Sequence, residues 1–379
     1  MESSSGIHPE DMPAPYVAWS MAFVNPSTTV PWRTDSLAVT PSIVAHRGAC
    51  AHRPEHTMAA YRLAIAMGAD DLEIDVVSSA DGVLVARHEN EISATTDVAT
   101  RPEFAARHAV REVDGVHREG WFTEDFTLAE LKTLTARERL PASRPASAAY
   151  DGMHAIPTLN EILAMVQAES TRHKRMVGLL VELKHATYFA GRGLPLGQPL
   201  TADLRRHEVD HARSRVSVMS FETTILRQLN QVLRVPLIQL LDRAERRPAD
   251  LRAIGDPRTY ADLVTPEGLA HIDGYADGIG AHSSLVLPRE ADGSLGKPTA
   301  LVRDAHRLWL DVLVWTLRAE NRFLPTDHRR GAEPDAHGDL LGFARRCLDA
   351  GVDGLITDYP GIAAALRQRA VRGEVMIGA

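Results

Sequence analysis

Seven ionisable residues stand at or beside the ends of short apolar runs: His46-Arg47-Gly48, Glu73-Ile74-Asp75, His88 and Glu182-Leu183-Lys184. They comprise two histidines, three carboxylates, one arginine and one lysine. That set suits a divalent cation holding a phosphodiester while two imidazoles move protons. Glu73 and Asp75 are two residues apart in an apolar run, and on a strand that spacing turns both carboxylates to one face. Glu182 ends a second run. Two oxygens from one strand and one from another suit a hard cation such as Mg²⁺ or Ca²⁺. An isolated Glu-x-Asp is more often a solvated strand end, but in Leu72-Glu73-Ile74-Asp75-Val76-Val77 unpaired carboxylates would be buried at high cost. His46 and His88 each end a strand-like run, and imidazoles titrating near neutrality serve as general base and acid. Arg47 offers a two-pronged fork for phosphate oxygens and Lys184 a point charge, or else a partner for the carboxylates. Strand alternation would turn Arg47 away from His46, so the chain must bend at Arg47-Gly48. Glu55 either favours the start of the first helix or accepts a substrate hydroxyl.

Those residues need strands to hold them. Runs rich in Val, Ile and Leu occur at Ile43–His46, Leu72–Val77, Val83–His88, Val177–Lys184, Val216–Phe221, Pro236–Leu241, Ala276–Ala281, Val312–Thr316 and Gly354–Thr357. Amphipathic stretches alternate with them. Thr57–Met67 stops at Gly68, Leu128–Leu134 opens with the capping-box pair Thr127 and Glu130, and Leu159–Val166 and Leu340–Ala350 follow. This alternation predicts a parallel sheet. Only five residues, Ser78 to Gly82, separate the second and third runs. That is too short for a parallel crossover but suits an Asp-Gly hairpin. Removing the hairpin partner leaves eight strands, the number in a TIM (β/α)8 barrel. Pairing across the turn should set Glu73 nearly opposite His88 and Asp75 nearly opposite Ala86. The barrel domain is expected over 42–370. A proline-rich arm partly ordered by Trp19 and Trp32 precedes it at 1–41. An insertion subdomain of about 90–156 should cover the barrel mouth and shape substrate access.

Composition narrows the partners. The 379 residues are 44% hydrophobic and 24% charged, with a net charge of −8. No global basic field recruits nucleic acid. No apolar run reaches the roughly 20 residues of a membrane span, and the N-terminal stretch carries acids where a secretory signal would carry Lys or Arg. Two cysteines, Cys50 and Cys347, make no disulfide framework. Oligomeric state is left open. So is the compartment: cytoplasmic, or periplasmic or extracellular after removal of a signal.

The motifs as a set resemble the glycerophosphodiester phosphodiesterases. They are His46-Arg47-Gly48, Pro54-Glu55-His56-Thr57, Glu73-x-Asp75-Val76, Asp81-Gly82, His88, Pro157-Thr158-Leu159, Glu182-x-Lys184, Ser220-Phe221, Val314-Trp315-Thr316 and Gly351 through Asp358. They run in order from about 42 to 365. Thr95 through Ala99, Tyr275 through Gly280 and the long insertion look like the periplasmic-type subgroup. The resemblance implies an eight-stranded barrel and hydrolysis of glycerophosphodiesters to sn-glycerol 3-phosphate and an alcohol. It implies one divalent cation on Glu73, Asp75 and Glu182, with the subgroup likeness inclining towards Ca²⁺ over Mg²⁺. It implies acid–base roles for His46 and His88, phosphate contacts from Arg47 and Lys184, and Trp315 lining the glycerol or leaving-group side. In the family's mechanism the glycerol 2-hydroxyl attacks phosphorus, and water opens the resulting cyclic phosphate. The chain departs from the family at His88-Glu89, where His-Asp is usual, and at Leu317-Arg318, where Asn is frequent. Two other readings remain: a lipid phosphodiesterase of phospholipase D-like or phosphoinositide-cleaving type on the same barrel, and a non-catalytic barrel that binds phosphodiesters.

Overall fold

The computed structural model describes residues 40–371. The arm expected over 1–41, with Trp19 and Trp32, lies outside the described residues apart from its last two. Eleven strands occur in the described chain: β1 (Ser42–His46), β2 (Asp71–Ser78), β3 (Leu84–Ala86), β4 (Ala109–Val113), β5 (Val116–Gly120), β6 (Gly178–Leu183), β7 (Val216–Ser220), β8 (Leu237–Leu241), β9 (Gly278–His282), β10 (Asp311–Leu317) and β11 (Gly354–Thr357). Eight of them close a parallel barrel in the order β1-β2-β6-β7-β8-β9-β10-β11 and back to β1. Helices run between strands, as the periodic stretches predict. Leu159–His173 and Leu340–Asp349 form with side-chain caps from Thr158 and Asp339. Leu128–Leu131 is a single turn that keeps its capping box but stops short of the expected Leu134.

Strand alternation decides what enters the barrel. Val44, Leu180, Met219, Ile238, Leu240, Leu313 and Ile356 pack together as the inner core, apart from the larger cluster under the helices. Stepping two residues towards the strand end from an inner residue keeps the same face. That step leads from Val44 to His46, from Leu180 to Glu182, from Met219 to Phe221, from Leu313 to Trp315 and from Ile356 to Asp358. The apolar core thus ends in a layer of polar and aromatic groups at the C-terminal mouth, where barrels of this kind carry their chemistry.

β3 pairs antiparallel with β2, as the short connection predicts, but the register is shifted by one residue. Val76 faces Ala86 and Ser78 faces Leu84, so Asp75 does not face Ala86 and Glu73 does not face His88. The turn is the cause. Its loop has three residues, Ala80-Asp81-Gly82, closed by the Ser79 N–H on Val83 O (3.0 Å) and ended by Gly82 at φ 77°. A two-residue Asp81-Gly82 loop would instead set Ala80 opposite Val83 and centre the pair half a residue later. β1 and β3 share one edge of β2: β1 pairs with Asp71 to Glu73, then leaves, and β3 takes Val76 to Ser78.

β1 leaves through Arg47 (φ 56°) and Gly48 (φ 83°). A Cβ on Gly48 would lie 2.7 Å from the backbone carbon of Ala60 in the helix Met58–Ala66, an atom that cannot move aside. Gly48→Ala is expected to lose about 1–2 kcal/mol from the left-handed backbone alone, and more from that contact. Chemical denaturation measures it, and an unchanged midpoint would refute the argument.

Between β3 and the helix Leu159–His173 lie the β4–β5 hairpin and short helical turns. The turn Asp114-Gly115 has both residues at positive φ, as a two-residue hairpin loop requires. Asp114 Oδ2 accepts from His185 Nδ1 at 2.5 Å, tying the hairpin tip to the end of β6. No helix among the described residues is long and apolar enough to cross a membrane.

Candidate active site

Register assembles the site. In β1 and β2, His46 faces Glu73. In β2 and β6, Asp75 faces Glu182. Glu73, Asp75 and Glu182 are buried, and one oxygen of each lies within 4.8 Å of the others. The group offers oxygen donors only, the set that hard cations prefer. Its electrostatics fit a cation too. Burial, with Asp75 and Glu182 adding to it, raises the Glu73 carboxyl well above the usual range. Burial pushes Glu182 up to about 8, with Lys184 opposing and Asp75 adding. Asp75 stays well below the usual range despite its burial, because Lys184, His88 and Arg47 favour its charge. Three adjoining carboxylates cannot all ionise there unaided, and a divalent cation would let them.

Asp75 is held from behind. Its Oδ2 meets His56 Nε2 at 2.9 Å and Arg47 Nε at 3.2 Å, and His56 Nδ1 lies 3.0 Å from the Tyr61 hydroxyl. The Arg47 backbone N–H donates to Glu73 Oε2 at 2.9 Å, so the bend after β1 also aims one carboxylate of the cluster.

Each candidate imidazole rests on a carboxylate. His46 Nδ1 lies 2.6 Å from Asp358 Oδ1, and Asp358 Oδ2 also receives Arg144 (2.6 Å) and Arg318 (2.9 Å). His88 Nδ1 lies 2.6 Å from Glu89 Oε1, while Arg139 donates to both Glu89 oxygens at 3.0 and 2.7 Å. The arginines keep both carboxylates ionised, and an ionised carboxylate only accepts. The proton therefore sits on Nδ1 in each ring and Nε2 is left for chemistry. Burial and Arg47 push His46 down to about 4 against the pull of Asp358, and burial, Arg47 and Lys184 push His88 down to about 3.

Lys184 is buried with its Nζ 2.7 Å from Glu182 Oε1, 3.8 Å from Asp75 Oδ1 and 5.4 Å from the Phe221 ring centre. Trp315 donates from Nε1 to Gly280 O at 2.8 Å and meets Phe221 and His282 edge-on. His46, Arg47, Glu73, His88, Glu182, Lys184 and Trp315 all line one cavity of about 1260 Å³. Asp75 sits just beneath its floor. Glu55 is off that wall: Arg47 NH1 (3.0 Å) and Arg139 Nε (2.8 Å) donate to its Oε2 and Arg139 NH2 (2.6 Å) to its Oε1. Its oxygens are thus committed to aligning two arginines.

Sequence reasoning passed over Asp358, His56, Arg139 and Arg144. Asp358 and His56 lie inside recognised motifs, and the two-residue step from Ile356 would have found Asp358. Arg139 and Arg144 come from the 87–158 segment, and no local pattern distinguishes them from solvated arginines.

A family model for glycerophosphoryl diester phosphodiesterases matches residues 46–362. Glycerophosphodiester phosphodiesterase GDPD6 of Arabidopsis thaliana is 32% identical over 333 residues, 85% of this chain and 84% of its own. Two solved structures share the fold. A Silicibacter pomeroyi protein gives a TM-score of 0.63 at 23% identity, covering 89% of this chain and 96% of its own. An Oleispira antarctica phosphodiesterase, solved in complex with its product sn-glycerol-3-phosphate, gives 0.57 at 20%, covering 87% and 97%.

Proposed function

The chain belongs to the glycerophosphoryl diester phosphodiesterase family, and we propose that it hydrolyses glycerophosphodiesters to sn-glycerol 3-phosphate and an alcohol with a divalent cation and the pair His46 and His88. One observation carries the reading. Three mutually close buried carboxylates, two of them lining one cavity, share that cavity with two carboxylate-braced imidazoles and Arg47. The product held by the Oleispira antarctica relative is the one this reaction releases.

Glu73, Asp75 and Glu182 would hold the cation, which when bound draws charge from the phosphoryl oxygens as a Lewis acid. The chain does the rest. Arg47 donates from NH1 to Glu55 and sets Nε 3.2 Å from Asp75 Oδ2 as an ion pair, and its NH2 remains for a phosphoryl oxygen. Lys184 adds a second positive charge on the same side. One imidazole Nε2 takes the proton of the glycerol 2-hydroxyl as that oxygen attacks phosphorus. The bond to the alcohol oxygen breaks, and that oxygen takes a proton from the other imidazole. The phosphodiester's own negative charge, set between the rings, raises their proton affinity enough for one to serve as the acid. In the second half the roles reverse, and water opens the cyclic phosphate to sn-glycerol 3-phosphate.

Purified protein incubated with glycerophosphocholine should release sn-glycerol 3-phosphate, read by coupled oxidation. EDTA should stop the release, and titration with Ca²⁺ or Mg²⁺ should restore it and rank the two ions. Turnover at full rate in excess chelator would remove the cation from the mechanism. Absence of product from every glycerophosphodiester would remove the activity.

A further inference from the structure

The wall facing the carboxylates is rich in arginine, and the hydrolysis proposed above uses none of these side chains. In the closed strand order β9 is four steps from β2 in either direction. The loops after β8, β9 and β10 therefore face the carboxylates across the mouth. Among the arginines they bring to the cavity are Arg243, Arg289 and Arg329. Three other cavity arginines on that side are neutralised. Arg246 pairs with Asp242 at 2.9 Å, Arg318 with Asp358 at 2.9 Å and Arg322 with Asp335 at 2.5 Å. Among the described residues Arg243, Arg289 and Arg329 make no ion pair. Arg289 donates only to the carbonyls of Gly293 (3.4 Å) and Phe323 (3.1 Å), and Arg329 only to that of Leu324 (3.1 Å). They crowd one another: burial and Arg329, with a smaller push from Arg243, hold the Arg289 guanidinium below its usual range against Asp327. Convergent, unneutralised positive charge inside a concave mouth is notable in a chain of net charge −8, since such a field concentrates anions.

We propose that Arg243, Arg289 and Arg329 form a subsite for a second anionic group, a phosphate or carboxylate on the alcohol half of the substrate. The inference rests on the hydrolysis proposed above. With the scissile phosphate at Arg47 and the carboxylates, the alcohol half extends past Phe221 and Trp315 towards β9 and meets three guanidinium forks. Their planar geometry suits phosphate and carboxylate oxygens. A cationic alcohol such as choline meets like charge there.

Matched substrate pairs test it. kcat/KM for glycerophosphoinositol 4-phosphate is expected to exceed that for glycerophosphoinositol by about tenfold or more, the effect of one charged hydrogen bond. Glycerophosphoserine against glycerophosphoethanolamine reads the carboxylate arm, so the two arms distinguish the anion. The triple variant Arg243→Gln, Arg289→Gln, Arg329→Gln should bring both ratios to within about twofold of unity. Arg243→Gln alone, at an exposed side chain with no bond to lose, should lower them by about two- to threefold. Arg303→Gln, on the outer helix Leu301–His306, should leave them unchanged. Equal kcat/KM within both pairs for the unaltered protein, or a preference that survives the triple variant, would overturn the subsite. Both results leave the hydrolysis standing, whereas no turnover of any substrate overturns the hydrolysis itself.

Discussion

Glu73→Gln is expected to leave the metal-free protein at least as stable as the unaltered one at pH 7, while lowering cation-dependent kcat/KM by about 10³-fold or more. The kinetic loss follows from removing a ligand of a Lewis acid that supplies several kcal/mol, at 1.36 kcal/mol per decade. Glu73 is raised well above 4.5 by burial and by Asp75 and Glu182, so without a cation its neutral acid form is favoured. Glutamine copies that neutral acid in shape, and its carbonyl oxygen can still accept the Arg47 backbone N–H. A carboxyl whose folded pKa is raised stabilises fully below its unfolded pKa and loses that contribution as pH rises. For Glu182 the window runs from 4.5 to about 8. The metal-free protein should therefore lose stability as pH climbs through that range, and Glu73→Gln should lose less. Adding cation at a hundred times its Kd should stabilise the unaltered protein by about 2.7 kcal/mol and the variant by almost nothing. Denaturant titration with and without cation reads both quantities. A variant that keeps the full cation-induced gain would dismiss Glu73 as a ligand.

What could be read from the sequence divides along a physical line. The barrel was legible because its strands are locally encoded: each is a short apolar run, and alternation within it assigns faces without knowledge of neighbours. The co-location of Glu73 and Asp75 follows from spacing alone. The placement of Glu182 beside Asp75 needed the pairing of β2 with β6, which only the closed barrel supplies. The expected β2–β3 register differs by one residue from the observed one because an Asp-Gly signal marks a turn without fixing where its loop is centred, and Ser79 decides that. Its hydroxyl accepts from Val83 N at 3.0 Å and donates to Asp81 at 2.6 Å. The β4–β5 hairpin carried a readable sign, Asp114-Gly115 between two short runs, but its polar strands lack the apolar alternation that marks a buried one. Arg139 and Arg144 were out of reach altogether. Their partners Glu55, Glu89 and Asp358 lie 84, 50 and 214 residues away, and nothing local marks such contacts.

His46→Ala and His88→Ala should each lower kcat by about 10²–10⁴-fold with small changes in KM, and the two variants should separate by leaving group. In each ring a carboxylate takes Nδ1 and leaves Nε2 at the cavity, so neither ring is pre-assigned as base or acid by its tautomer. The chemistry assigns them instead, because only one proton transfer goes to the departing alcohol. Replacing that alcohol with 4-nitrophenol, which departs without protonation, should restore most of the rate in one variant and little in the other. The double variant should cost far less than the product of the single losses, since residues that act in one concerted exchange are not additive. Glu89 sharpens the test. It reaches His88 Nδ1 while both of its oxygens hold Arg139, so Glu89→Gln would remove the ionised partner without removing the contact. Its expected signature is a partial loss of kcat on the glycerophosphocholine reaction that follows the leaving-group dependence of His88→Ala. If both histidine variants respond alike to 4-nitrophenol, the division of labour between the two imidazoles is wrong. If neither loses more than tenfold, the rings are not the proton carriers, and the carboxylates that brace them would have to be explained as packing alone.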